Sequence, residues 1–379
     1  MKKILVLYPY PLENDGLSIQ GYYLAKGLEE LGVQVKSCDR GDYERKEKLY
    51  GEFKPDVVIG IGFWGDTPDL ILHPLKFGMK VAPWFNADGW VANYHETLER
   101  LPLIIATSNW VKSTYIRDGL SGNNIEFCGI GFDPEIFYPT NEDRDNIRKQ
   151  FGIKDYEIML FTAGGDVTSK GAQEIFKALG KLKGKFDNWK YVLKTFPSFS
   201  ADDHGRFEKE LISELGLDKD KFIYISDSYP PKKMASLLNA CDIYCAPSRL
   251  EGFGMIQLEA QACGKPVISI NVGGPKEIIS HGKTGYLVDI EHEIKLESEW
   301  VYEHMGFDKK KRIHFPIPKT FAYRANIDQL ADCLLKLAKD TSLRDSMGLE
   351  AAKHALENFH YKVIAAKINN IIEEKYGYS

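Results

Sequence analysis

Short apolar runs alternate with amphipathic stretches along this whole chain of 379 residues. Such runs are too short for buried helices and too continuously apolar for a sheet with one wet face, so they predict strands covered by helices on both sides. In the first half they are Ile4 to Tyr8, Val33 to Ser37, Val57 to Ile61, Val81 to Phe85 and Leu103 to Thr107. In the second half they are Ile158 to Ala163, Tyr191 to Lys194, Phe222 to Ile225, Ile243 to Pro247, Val267 to Ile270 and Tyr286 to Val288. The pattern predicts an α/β chain with two doubly wound parallel sheets. Length agrees, because single cores stop growing at roughly 250 to 300 residues. Residues 1–140 and 150–358 are the expected domains, with the polar stretch Pro139 to Gln150 as linker. Two segments break the rhythm. Residues 291–320 mix acids with the run Lys309 to Arg312 and with Trp300, Tyr302, Phe307 and Phe315, and are expected as an insertion on the second domain. The final residues read as helix, interrupted near Phe359, His360 and Tyr361.

Composition removes several functions. The formal net charge of -5 argues against a nucleic-acid partner, which calls for a basic surface. No apolar run approaches the roughly 20 residues of a spanning helix. Six scattered cysteines (Cys38, Cys128, Cys241, Cys245, Cys263, Cys333) read as reduced thiols, and the amino terminus enters a strand without a secretory core. A cytoplasmic protein is expected. Cys241 and Cys245 have no second ligand pair at metal spacing. A solvated face is the favoured reading of Lys309 to Arg312, and peripheral contact with an anionic membrane is the alternative.

Several motifs are spelled without their context. Gly60-Ile-Gly62-Phe63-Trp64-Gly65 matches a dinucleotide fingerprint but follows the third strand, with Pro68 and Pro74 crowding the next segment, so a glycine-rich turn is expected. Gly282-Lys283-Thr284 resembles the end of a phosphate loop, yet Glu277 stands where glycine is required. Asp218 and Asp220 could pair on a metal but precede a strand, at the edge away from ligands, and read as a solvated turn.

The informative stretch is Pro247 to Gly274. Glu251 follows a strand, Gly252-Phe253-Gly254 makes a tight turn, and a helix begins that carries Glu259. Glycines let backbone approach a ligand, a helix start presents unpaired N–H groups, and carboxylates accept sugar or ribose hydroxyls. Without further context, Glu251 as a helix cap and Glu259 as a surface acid are equally good readings.

Ser248, Glu251, Gly252, Phe253, Gly254, Glu259, Ala260, Gly264, Pro266 and Val267 together resemble the glycogen-synthase-like family of retaining glycosyltransferases. The similarity continues in Gly273-Gly274 with Glu277, in Lys170-Gly171, in Gly131-Phe132-Asp133 before Phe137-Tyr138-Pro139, and in Gly16. It implies the GT-B fold: two Rossmann-like domains facing across a cleft, with a final helix, here within 361–379, crossing back to the first. It implies transfer of a sugar from a nucleoside-diphosphate sugar to a sugar or lipid-linked acceptor, as a hexosyltransferase would, with no metal cofactor. By position, Glu259 would hold the ribose hydroxyls, Glu251 with Gly252, Phe253, Gly254 and Met255 the donor sugar and diphosphate, and Lys170 the diphosphate charge. Gly16 lines the site from the turn after the first strand. The family's arginine five residues before the lysine is Gly165 here, which leaves the diphosphate to Lys170 and backbone N–H groups. The family's histidine after the fourth strand is absent, and Asp88 is the candidate for a polar group at the reacting sugar, although an aspartate before glycine is more often a turn residue. A sugar phosphorylase, a nucleotide-sugar epimerase and a non-catalytic sugar-nucleotide binder are the competing functions.

Overall fold

The computed structural model describes residues 2–86, 89–195 and 199–377. Two compact units emerge: Met1–Asp133 with Lys295–Phe321 and Asn358–Ser379, and Pro134–Ile294 with Ala322–Glu357.

In the first unit the apolar runs become β1 (Lys3–Tyr8), β2 (Gln34–Asp39), β3 (Val57–Gly62), β4 (Val81–Phe85) and β5 (Ile104–Ala106), joined at the edge by β6 (Ile125–Phe127). The order is β2-β1-β3-β4-β5-β6, and each strand runs parallel to its neighbours. β3 and β4 are buried along their whole length, as strands covered on both faces must be. The chain reverses direction across the sheet between β1 and β3, so ligands are expected beyond the carboxyl ends of those two strands.

The second unit holds β7 (Ile158–Ala163), β8 (Trp189–Lys194), β9 (Phe222–Ile225), β10 (Ile243–Ala246), β11 (Val267–Ile270) and β12 (Gly285–Val288), in the order β12-β11-β10-β7-β8-β9. Here the switch lies between β7 and β10, which pair with Ile243 opposite Leu160 and Tyr244 opposite Phe161. Tyr244 is buried and its hydroxyl donates to the Ala163 carbonyl at 3.2 Å, tying the carboxyl ends of these two strands together. The stretch expected as a linker contains the helix Arg144–Gln150, anchored inside this unit where Arg144 and Arg148 reach Asp242 at 2.6 and 3.0 Å.

The last helix, Tyr361–Tyr376, packs on the first unit. His360 interrupts the helical run and caps it, its Nδ1 accepting the Lys362 N–H at 3.0 Å. The entry is pinned by Phe132, which exchanges backbone bonds of 3.0 Å with Phe359 and Tyr361. Further along, Lys2 pairs with Glu373 at 2.7 Å and the Tyr376 hydroxyl donates to the Val81 carbonyl at 2.6 Å.

One expectation needs correction. The segment 291–320 is a hairpin of β13 (Ile290–Val301) and β14 (Lys311–Ala325), and its residues Lys295–Phe321 group with the first unit rather than the second. The cause is specific packing. Lys319 reaches Asp118 at 2.6 Å, Arg117 donates to Thr320 at 3.1 Å, Asn93 donates to the Met305 carbonyl at 3.0 Å, and Phe315 lies 5.3 Å from the ring of Trp90.

Candidate functional site

The switch point of the second sheet gathers most of the expected site residues. β7 ends at Ala163 and leads through Gly164 and Gly165 into a turn that closes with Lys170 and Gly171. Gly171 caps the helix Ala172–Leu182 with φ +88, and a Cβ there would lie 2.4 Å from the Pro247 carbonyl oxygen. Only glycine tolerates both constraints. The helix start is therefore pressed onto the residue that follows β10, and Lys170 is delivered to the neighbouring loop.

That loop, Pro247 to Gly254, carries the partner. Lys170 Nζ lies 2.7 Å from Glu251 Oε2, with the two side chains 26% and 16% exposed. Ser248 Oγ donates to the same oxygen at 3.3 Å and receives a 3.4 Å bond from Gln257 Nε2. Among the described residues no bond is made to Glu251 Oε1, so one carboxylate oxygen is held and the other can accept. The loop itself is fixed by the Gly274 N–H donating to the Glu251 carbonyl at 2.9 Å. Gly254, at φ +104, turns the chain into the helix Met255–Ala262, whose first N–H groups have no partner within the helix.

Glu259 stands one turn into that helix and is 7% exposed. Neither hydrogen bond nor ion pair satisfies it among the described residues, and burial pushes its carboxyl up to about 8. Isolated buried carboxylates are costly, so an unpartnered one in the helix that follows β10 is a candidate for ligand contact.

The remaining expected residues fall as follows. The Gly165 carbonyl accepts the Thr195 hydroxyl at 3.1 Å, which leaves this residue in the Lys170 turn as backbone only. Phe253 is buried beneath the turn. Gly16 belongs to the first unit, where it opens the helix Gly16–Glu30 behind the cap Asp15. Asp88 lies outside the described residues. Sequence reasoning did not single out the buried Glu174 and the two partly buried arginines that pair with it, Arg249 and Arg324.

The motifs set aside resolve structurally. After β3 the fingerprint glycines lead into a short turn, Trp64–Asp66, in which Asp66 accepts the Phe63 N–H at 3.1 Å and pairs with Arg40 at 2.7 Å. Thr284 accepts the Ser280 N–H at 2.9 Å. Asp218 accepts the Asp220 N–H at 2.9 Å in a turn that precedes β9. Cys241 and Cys245 are buried free thiols, and among the described residues no three His, Cys, Asp or Glu side chains converge on a metal position. No described helix is long and apolar enough to cross a membrane.

Comparison with known proteins follows the same line. Residues 143–304 match the family described as Glycosyl transferases group 1. The D-inositol 3-phosphate glycosyltransferase of Paenarthrobacter aurescens is 29% identical over 251 residues, 65% of this chain and 51% of that protein. Its counterpart from Corynebacterium jeikeium is 26% identical over 267 residues, 68% and 55% of the two chains. The chain thus spans about half the length of the curated relatives it matches. Among solved structures, a glycosyltransferase from Rickettsia africae superposes with a TM-score of 0.77 at 17% identity, covering 100% of this chain and 99% of that one. The sucrose-phosphate synthase of Thermosynechococcus elongatus gives 0.75 at 17%, covering 100% of each chain. Anabaena HepE in complex with UDP and glucose gives 0.74 at 16%, covering 99% and 100%. These structural likenesses establish the GT-B fold of two Rossmann-like domains. The chain therefore carries a segment, residues 143–304, that matches the Glycosyl transferases group 1 family, on the GT-B fold that the solved structures share.

Proposed function

We propose that the chain is a retaining glycosyltransferase that moves a hexose from a nucleoside-diphosphate sugar to an acceptor hydroxyl. The observation that carries the reading is the 2.7 Å pair of Lys170 and Glu251 at the β7/β10 switch point, on the loop that leads into the helix of the unpartnered Glu259. In this reading Lys170 meets the diphosphate and stabilises the leaving group as the glycosidic bond breaks, which is where fixed positive charge is most effective. The N–H groups at the Met255 helix start and of the Gly165 turn complete the anion cradle. Glu251 offers Oε1 to the sugar, and Glu259 accepts ribose hydroxyls. Asp88 remains the candidate at the reacting sugar.

A UDP-hexose is the first donor to test, since Anabaena HepE binds UDP and glucose. An inositol phosphate is the first acceptor to test, given the activity named for the curated relatives. The direct experiment follows nucleoside diphosphate release from a panel of sugar nucleotides, with and without acceptor. Release that requires acceptor and yields a glycoside of unchanged anomeric configuration is expected. Phosphate consumption would indicate a phosphorylase, and interconversion without acceptor an epimerase.

Lys170 supplies the charge that metal-dependent enzymes take from a cation, so a chelator is expected to leave turnover intact. Activity lost in EDTA and restored by manganese would contradict this and reopen Asp218 and Asp220.

The basic run of the hairpin is better accounted for as a solvated face than as a membrane contact. Lys310 Nζ sits 5.2 Å from the ring centroids of both Trp300 and Tyr302, and Lys311 Nζ lies 5.3 Å from that of Phe307. Cations engaged with their own aromatic neighbours attract lipid headgroups less than bare ones. No co-sedimentation with liposomes rich in anionic lipid is expected. Binding that disappears on reversing all four charges would restore the membrane reading.

A further inference from the structure

Arg249 lies in the catalytic loop between Ser248 and Glu251, yet its bonds go to the segment that bears Lys170. Its backbone N–H donates to the Ser169 carbonyl at 2.8 Å, one residue before Lys170. Its guanidinium donates to Gln173 at 2.9 Å and to Glu174 at 3.2 Å, three and four residues after Lys170. A single residue therefore grips both flanks of the lysine. Its carbonyl in turn receives the Tyr323 N–H at 2.6 Å.

Glu174 is 2% exposed, and a buried carboxylate requires its cations. It takes a second one from Arg324, at 3.3 Å from the same oxygen that Arg249 Nε reaches. With Gln173 and Glu174 engaged, and a side chain only 17% exposed, Nε and Nη2 of Arg249 are both turned to the helix after β7. The guanidinium's rigid planar fork presents several donors in a fixed geometry to both acceptors, which the single flexible ammonium of a lysine reproduces only in part.

We propose that Arg249 is a positioning residue, which sets Lys170 Nζ against Glu251 by clamping the loop after β10 to the start of the helix after β7. The catalytic consequence rests on the reading of Lys170 and Glu251 as the donor-sugar site, while the clamp itself does not. A misplacement of about 1 Å at a reacting group can cost roughly a hundred-fold in rate.

The test uses the full chain with Arg249→Met, Arg249→Lys, Lys170→Met and the double variant Arg249→Met/Lys170→Met. Arg249→Met is expected to lower kcat about ten- to a hundred-fold with the acceptor KM unchanged. Arg249→Lys recovers part of the loss. The double variant is no slower than Lys170→Met alone, because residues acting through one group are not additive. Independently of activity, the rate at which an amine-acylating reagent modifies Lys170, read by peptide mass spectrometry, rises several-fold in Arg249→Met as the ammonium leaves its carboxylate. Unchanged Lys170 labelling, or losses that multiply in the double variant, overturns the proposal. Accelerated labelling in a protein with no transferase activity upholds the clamp and sinks the functional reading instead. Should Arg249→Met fail to fold, Arg249→Lys decides: faster labelling and lower kcat at an unchanged Tm support the clamp, and wild-type values for both overturn it.

Discussion

Removing Lys170 is expected to produce the largest functional loss in the chain. With methionine there, kcat falls about a hundred- to a thousand-fold, the range found when one preorganised electrostatic group is taken from a transition state. Affinity for the nucleoside diphosphate falls as well, because Glu251 is left as an unpaired negative charge where the diphosphate must lie. Glu251→Ala behaves differently. It removes a carboxylate that helps while positive charge gathers at the anomeric carbon, so kcat drops. The freed Lys170 still binds nucleoside diphosphate as well as before, or better, since it no longer has an internal partner 2.7 Å away. Steady-state kinetics and calorimetric titration of the two variants check this. Equal losses of diphosphate affinity in both, or normal turnover in Glu251→Ala, would show that the roles are wrongly assigned.

Glu259 is expected to couple nucleotide binding to a proton. Burial raises its carboxyl from 4.5 to about 8, so near neutral pH the free protein holds it largely protonated. Ribose hydroxyls donating to the carboxylate favour the charged form, and binding should then expel a proton. Calorimetry of the nucleoside diphosphate at pH 7 in buffers of different ionisation enthalpy should detect a release approaching one proton, absent in Glu259→Gln. The absence of release in the wild type would mean that the neutral acid makes the contact. The same shift affects stability. The folded-state value lies above the unfolded one, so this group favours the fold fully below about 4.5 and its contribution is lost as pH rises to about 8. Glu259→Gln should therefore raise Tm at pH 8.5 and leave it nearly unchanged at pH 4. Glu259→Ala should weaken nucleoside diphosphate binding roughly ten- to a hundred-fold, the loss of about 1.5 to 3 kcal/mol for a charged hydrogen bond.

Sequence made the two sheets legible because several of their strands, β3, β4, β7, β10 and β11 among them, are buried along their whole length and carry no charge. β6 escaped because Ile125-Glu126-Phe127 is three residues long with an acid in the middle, as an edge strand can be. The hairpin was seen only as a disturbance. Glu291, Glu293, Lys295, Glu297 and Glu299 alternate with other residues at strand period, but the exposed face carries no apolar signal to assign it to a partner. Its true neighbours, Asp118 and Trp90, are about two hundred residues away in the chain. Glu251, Gly254 and Glu259 could be read because one short segment carries them all. The clamp could not, since Arg249 meets Glu174 across 75 positions and Arg324 meets it across 150, and nothing local marks such a pairing.

The switch point of the second sheet is expected to bind the nucleoside diphosphate of a sugar donor. Calorimetric titration of wild type, Glu259→Ala, Glu251→Ala and Lys170→Met with a panel of nucleoside diphosphates tests it most directly. At least one of them is expected to bind the wild type, to bind Glu259→Ala and Lys170→Met more weakly, and to bind Glu251→Ala at least as well. Failure of every nucleoside diphosphate to bind, or binding untouched by Glu259→Ala and Lys170→Met together, would contradict it.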